Sequence, residues 1–139
     1  MTTALLIQLI TVSALIEGIE PSVALSIAKV ESNYNMAATG SLGEIGAMQI
    51  LPSSSKYTVQ ELRSPLINIK EGLRLLKLAK DKCKHQIDRT YVICFNAGIT
   101  GGNKIKYPLL FPYYKKVMAA KASIKKTNIH TGLTYVVNP

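Results

Sequence analysis

The sequence predicts a mainly α-helical domain with little or no β structure, on three observations. Apolar residues recur at helical spacing in the first segment (Leu5, Leu9, Val12, Ile16) and in the next (Val23, Ile27, Val30). Pro21 and Pro65 stand where helices begin, positions at which the missing N–H costs nothing. Strand-like patterning is confined to one short run, Leu133 to Val137.

The elements follow in order. The first helix has its Leu5, Leu9, Val12 and Ile16 stripe facing the core. No Lys or Arg precedes this segment, and a secretory signal needs a positive n-region and a small-residue cleavage site, so a core helix is the favoured reading. The second helix runs from Pro21 to Ser32, with Ala24 and Ala28 joining its apolar face. Residues 33–46, rich in Gly, Asn and Thr, read as loop. A short apolar piece, 46–51, leads into Pro52–Ser55, which can nucleate a helical turn.

Ser64 and Pro65 open the longest helix, with Ile67, Leu73, Leu76 and Ala79 inward and Ile69 and Leu75 flanking. Lys70, Arg74, Lys77 and Lys84 share its opposite face, a solvated surface or one that docks on anions. Asp88 is the expected N-cap of a helix from Arg89 to about Phe95, stopped by Asn96-Ala97-Gly98. A last helix runs from Tyr107 to about Lys126, delayed by Pro108 and Pro112. The expected organisation is one domain, 1–126, with a C-terminal tail, 127–139.

Composition sets the outer limits. The 139 residues are 47% hydrophobic and 18% charged, which excludes intrinsic disorder and suits one domain. No 20-residue apolar run is present, so stable membrane insertion is not expected. The net charge is +9 and uneven. Residues 1–55 carry one cation (Lys29) against four glutamates, and residues 56–139 carry sixteen cations against four anions. Such a field attracts polyanions in a salt-dependent way. Cys83 and Cys94 are either two buried thiols or one disulfide; sequence leaves both open. Neither the cysteines nor the histidines have metal-ligand spacing, so no metal or cofactor is expected.

Most acidic residues have plain surface readings. Glu17 and Glu20 flank a helix break, and Glu61 and Glu71 lie among basic residues. Glu31 differs: it ends the apolar stripe of the second helix. From position alone the plainer reading is an exposed Glu near a helix end; the other is a buried Glu whose anion is disfavoured by burial and by the negative helix C-terminus, which favours the protonated form a general acid requires.

Glu31-Ser32-Asn33-Tyr34-Asn35, then Gly43-Glu44-Ile45-Gly46-Ala47-Met48-Gln49-Ile50-Leu51-Pro52, resembles the first two motifs of the soluble lytic transglycosylases. Asn68-Ile69 with Gly72, Phe95-Asn96-Ala97-Gly98, and Tyr113 with Val117 resemble the later ones, in order. The resemblance covers about Leu5 to Val117. It implies a lysozyme-like, goose-type helical fold and a peptidoglycan lytic transglycosylase. Such an enzyme cuts the MurNAc–GlcNAc β-1,4 bond and leaves 1,6-anhydro-MurNAc ends.

Residue by residue, the resemblance implies that Glu31 is the sole catalytic acid and base. It places Met48 and Gln49 in the cleft, Asn96 and Ala97 at the sugar subsites, and Tyr113, or its neighbour Tyr114, at the Glu31 carboxyl. Two departures stand out. Phe95 replaces the family's usual Tyr. Gly40 occupies the position of a serine that assists the reacting sugar in some members. The implied partner is the peptidoglycan glycan strand, with the chain a monomer and no nucleic acid involved. The implied place of action is the bacterial cell wall, reached through phage lysis, a virion or a secretion apparatus. Alternatives are a hydrolytic muramidase with Glu44 or an Asp as second group, and a non-catalytic wall-binding or structural protein. Nucleic-acid binding is suggested by charge alone, without a motif.

Overall fold

The computed structural model describes residues 1–129 and 132–137, with side chains through Lys125. The described residues form six α-helices: α1 (Thr3–Glu17), α2 (Pro21–Ser32), α3 (Val59–Leu62), α4 (Pro65–Lys82), α5 (Val92–Asn103) and α6 (Pro112–Ala122). A two-stranded antiparallel ribbon, β1 (Ile124–Ile129) and β2 (Gly132–Val137), follows with Ile124 opposite Val137. The architecture is mainly α, as expected. The last helix stops at Ala122 rather than near Lys126, because the chain there passes into β1, and the Leu133–Val137 run lies within β2. Residues 130–131 and 138–139 of the expected tail lie outside the described residues.

The second helix is the central post. Val23, Ala24, Leu25, Ile27 and Ala28 have no exposed surface, and the helix packs on both α1 and α6. Burying such side chains contributes roughly 1.5–3 kcal/mol each. Its length matches the expected Pro21–Ser32. Pro21 starts it, and Asn33 ends it in the left-handed region (φ 51°) with its N–H on Lys29 O.

The first helix forms, but on a different face. Leu6, Ile10 and Ala14 are buried, whereas Leu5, Val12 and Ile16 of the expected stripe are exposed and Leu9 is half-buried. The reason is compositional. No charged residue precedes Glu17, so apolar residues surround the helix and two stripes share the same spacing. Periodicity alone cannot choose between them.

Three other expectations change. Lys84 lies beyond α4, which ends at Lys82; Lys70, Arg74 and Lys77 are exposed on it as expected. Asp88 caps no helix. It sits in a 3-10 turn, Ile87–Arg89, at φ 49°, and α5 begins only at Val92. Glu71 is buried, not superficial: Ser55 Oγ donates to it at 2.7 Å and Arg74 pairs with it. A buried carboxylate is tolerable only with such partners.

The fourth helix packs on α1 and α5. A disulfide joins Cys83, at the C-cap of α4, to Cys94 in α5, which resolves the two alternatives in favour of the bond. Gly98 (φ 77°, ψ 163°) breaks α5, so the helical run halts after Ala97, where the sequence placed its stop, and resumes to Asn103. No helix among the described residues is long and apolar enough to cross a membrane.

Candidate functional site

The last turn of α2 delivers Glu31 to the wall of a cavity of about 420 Å³. Glu44, Gln49, Phe95, Asn96 and Ala97 line the same cavity. These residues come from three separate stretches of chain, and each is held by identifiable contacts.

Glu31 is two-sided. One side faces the cavity; the other accepts a 2.8 Å hydrogen bond from the Tyr113 hydroxyl. Tyr113 is buried on α6 and does not line the cavity, so it reaches the carboxyl from the protein side. Tyr114 points elsewhere and donates to Asp88 O at 2.8 Å. Burial raises the Glu31 pKa above the usual carboxylate value. The Tyr113 hydrogen bond opposes that rise, and the charge of Glu44 adds to it. Burial likewise pushes the Tyr113 hydroxyl well above its ordinary pKa, with the Glu31 charge in support, so it remains a donor.

The loop after α2 is anchored at both ends. Ser32 Oγ donates to Ala47 O at 2.8 Å, tying the helix end to the loop floor. Ile45 and Ile50 exchange backbone hydrogen bonds at 2.9 and 3.0 Å. Asn68, fully buried on α4, is the main clamp. Its Oδ1 accepts from Met48 N at 3.0 Å, and its Nδ2 donates to Ile45 O at 2.8 Å and Leu62 O at 3.0 Å. Gly46 (φ 77°) permits this, since a Cβ there would stand 2.5 Å from Asn68 Nδ2. Arg63 straps the outer edge by donating to Ala37 O, Ala38 O and Thr39 Oγ1.

Met48 corrects the sequence reading. It has no exposed surface and does not line the cavity. Its side chain lies over Gly72 of α4, where a Cβ would stand 2.6 Å from it. It is core beneath the cleft floor. Gln49, next in sequence, turns into the cavity wall at φ 50°, its Nε2 donating to Gly46 O at 2.9 Å and more weakly to Ala38 O at 3.4 Å.

The opposite wall comes from α5. Asn96 and Ala97 are exposed at the cavity, immediately before the break at Gly98. Cys94, one residue before Phe95, fixes this wall to α4 through the disulfide.

The structure thus brings Glu31, Gln49, Asn96 and Ala97 together at one cavity, sets Tyr113 behind it, and leaves Met48 below it. Residues 8–107 match the sequence model of the Transglycosylase SLT domain family. The chain belongs to this family. An SLT domain is of the lytic-transglycosylase type and acts on peptidoglycan, so the cavity lies in a domain directed at the bacterial cell wall. The helical architecture is that of the SLT lysozyme-like fold.

Ser32 and Asn68 stand in the motifs that carry the family resemblance, but sequence reading gave them no role at the site, and Arg63 was not marked at all. An Asn within the apolar face of α4 was the available signal for Asn68. The contacts of Ser32 and Arg63 were not readable, because their partners lie in other parts of the chain. Among the described residues no three His, Cys, Asp or Glu side chains converge in a way that could hold a metal ion.

Proposed function

We propose that the chain cleaves the β-1,4 bond between N-acetylmuramic acid and N-acetylglucosamine without water, and that Glu31 is the only acid and base. The supporting observation is the Glu31 carboxyl itself. It borders an open cavity, burial raises its pKa above the usual carboxylate value, and a buried hydroxyl orients it.

The chemistry follows. Protonated Glu31 gives its proton to the glycosidic oxygen as the bond to the anomeric carbon breaks. The acetamido oxygen of the muramoyl residue closes onto that carbon and carries part of the charge. Ionised Glu31 then removes the proton from the muramoyl 6-hydroxyl, whose oxygen displaces the acetamido oxygen. The product is a 1,6-anhydro end, and Glu31 regains its proton. Intramolecular attack is favoured because the nucleophile is already held near the reacting carbon. Asn96 and Ala97 supply polar and backbone contacts to the sugars, and Gln49 shapes the floor beside the acid.

The excess of cations after residue 55 favours encounter with an anionic wall, with a rate that falls as salt rises. The disulfide fits action in an oxidising compartment.

A second reading has one observation in its favour: Glu44 shares the cavity with Glu31. Two carboxylates across a cleft can hydrolyse a glycoside, one as acid and one activating water. Mass spectrometry of digested sacculi separates the two. Anhydro ends support the proposal, and reducing ends assign hydrolysis.

A further inference from the structure

Glu44 is placed with more care than a loop-edge carboxylate requires. Its Oε1 accepts the Leu42 N–H at 2.8 Å, which fixes the group. Its Oε2 lies 2.0 Å from the point where a Cβ on Gly40 would stand, and Gln49 Oε1 lies 2.7 Å from the same point. Gly40 therefore makes room for both oxygens. The Gln49 amide orientation is set by its Nε2, which donates to two carbonyl oxygens. No described residue donates to Glu44 Oε2 or to Gln49 Oε1. Two acceptors, one formally charged, thus converge without a donor on the wall of the cavity that holds Glu31.

We propose that Glu44 contacts the substrate: its Oε2, with Gln49 Oε1 beside it, accepts the N–H of the acetamido group on the sugar whose anomeric carbon reacts. The inference rests on the transglycosylase reading above. That N–H suits the locus better than a sugar hydroxyl, because its nitrogen gains positive charge as the acetamido oxygen bonds to the anomeric carbon. A carboxylate there interacts more strongly with the transition state than with the bound substrate, the condition for raising kcat. The N–H proton stays on nitrogen throughout. When the 6-hydroxyl oxygen displaces the acetamido oxygen, the charge disappears and the hydroxyl proton goes to Glu31.

The test is Glu44→Gln, whose side-chain carbonyl retains the Leu42 contact. Its kcat on purified sacculi is expected to fall about 10²-fold with KM within about twofold. Calorimetric titration with two probes completes the test. One is the N-acetylglucosamine tetramer; the other is the N-acetylglucosamine thiazoline, which mimics the cyclised cation. Thiazoline affinity is expected to fall about tenfold or more and tetramer affinity to hold. The titration stoichiometry counts folded protein, so a poorly folding variant still returns the affinity ratio. Equal loss for both probes, or a kcat within about twofold of the parent, overturns the inference. So does a parent that makes reducing ends which the variant does not, because Glu44 then serves water. A fully active Glu31→Gln removes the underlying reading; an inactive Glu31→Gln beside an unaffected Glu44→Gln removes this inference alone.

Discussion

The Tyr113 hydroxyl, at the start of α6, lies 2.8 Å from Glu31 Oε1, at the end of α2, and joins residues 82 apart in sequence. The bond favours the ionised carboxylate, while burial and the Glu44 charge favour the protonated one. Removing it with Tyr113→Phe raises the Glu31 pKa further. A general acid works protonated, so the alkaline limb of the activity profile should move to higher pH. Glu44→Gln removes a charge that raises the same pKa and should move that limb lower. Loss of one hydrogen bond at the carboxyl should slow Tyr113→Phe about tenfold at its optimum. Initial rates of sacculus solubilisation against pH report both effects.

Glu31 also opposes folding at neutral pH. Its folded pKa lies above its unfolded value. The stability linked to its proton is therefore complete below the unfolded pKa and is lost as pH rises through the folded one. Glu31→Gln keeps an acceptor for Tyr113 and removes the charge. It should raise the Tm by roughly 4 °C at neutral pH, and by less in acid where the parent is already protonated. Thermal melts at the two pH values test this.

The cleft floor depends on Asn68. Asn68→Ala removes the side-chain partner of Met48 N–H and Leu62 O and leaves Ile45 O only its Ile50 N–H, and the site is fully buried. Destabilisation of about 3 kcal/mol is expected in urea unfolding. Gly46→Ala acts on the same contact from the other side, through positive φ and a clash with Asn68, and should be at least as harmful.

Much of this was legible because it is local. Pro21 and the αL-tolerant Asn33 delimit α2 in the sequence itself, and Gly98 marks its own break. Glu31 stood out because an apolar helix stripe ran directly into it. The short helix α3 was missed although Thr58 and Glu61 form a full capping box. The buried face of α1 was not legible, since Leu5 and Leu6 belong to equally spaced stripes and only tertiary packing separates them. Met48 and Gln49 share one motif, and their opposite directions follow from the Gly72 gap beneath the first, which sequence does not display. Glu71 looked superficial among basic neighbours because its partner Ser55 lies sixteen residues away.

The disulfide links the end of α4 to the helix that forms one wall of the cleft, with a sequence separation of 11. Closing a loop of that length is worth about 3 kcal/mol. Reduction, or replacement of Cys83 and Cys94 by Ser, should lower the Tm and also the activity, because Asn96 and Ala97 lie two and three residues after Cys94. Melts and sacculus assays with and without reductant provide the comparison; the double Ser variant should be insensitive to reductant.

In the proposed mechanism one glutamate passes a proton to the leaving oxygen and takes one back from the muramoyl hydroxyl. Digestion of purified sacculi by the parent and by Glu31→Gln, with products resolved by mass spectrometry, tests it most directly. Anhydro-ended fragments from the parent, and at least a ~10³-fold slower release from the variant, are the predicted result. Release by Glu31→Gln at the parental rate would remove Glu31 from the catalytic role.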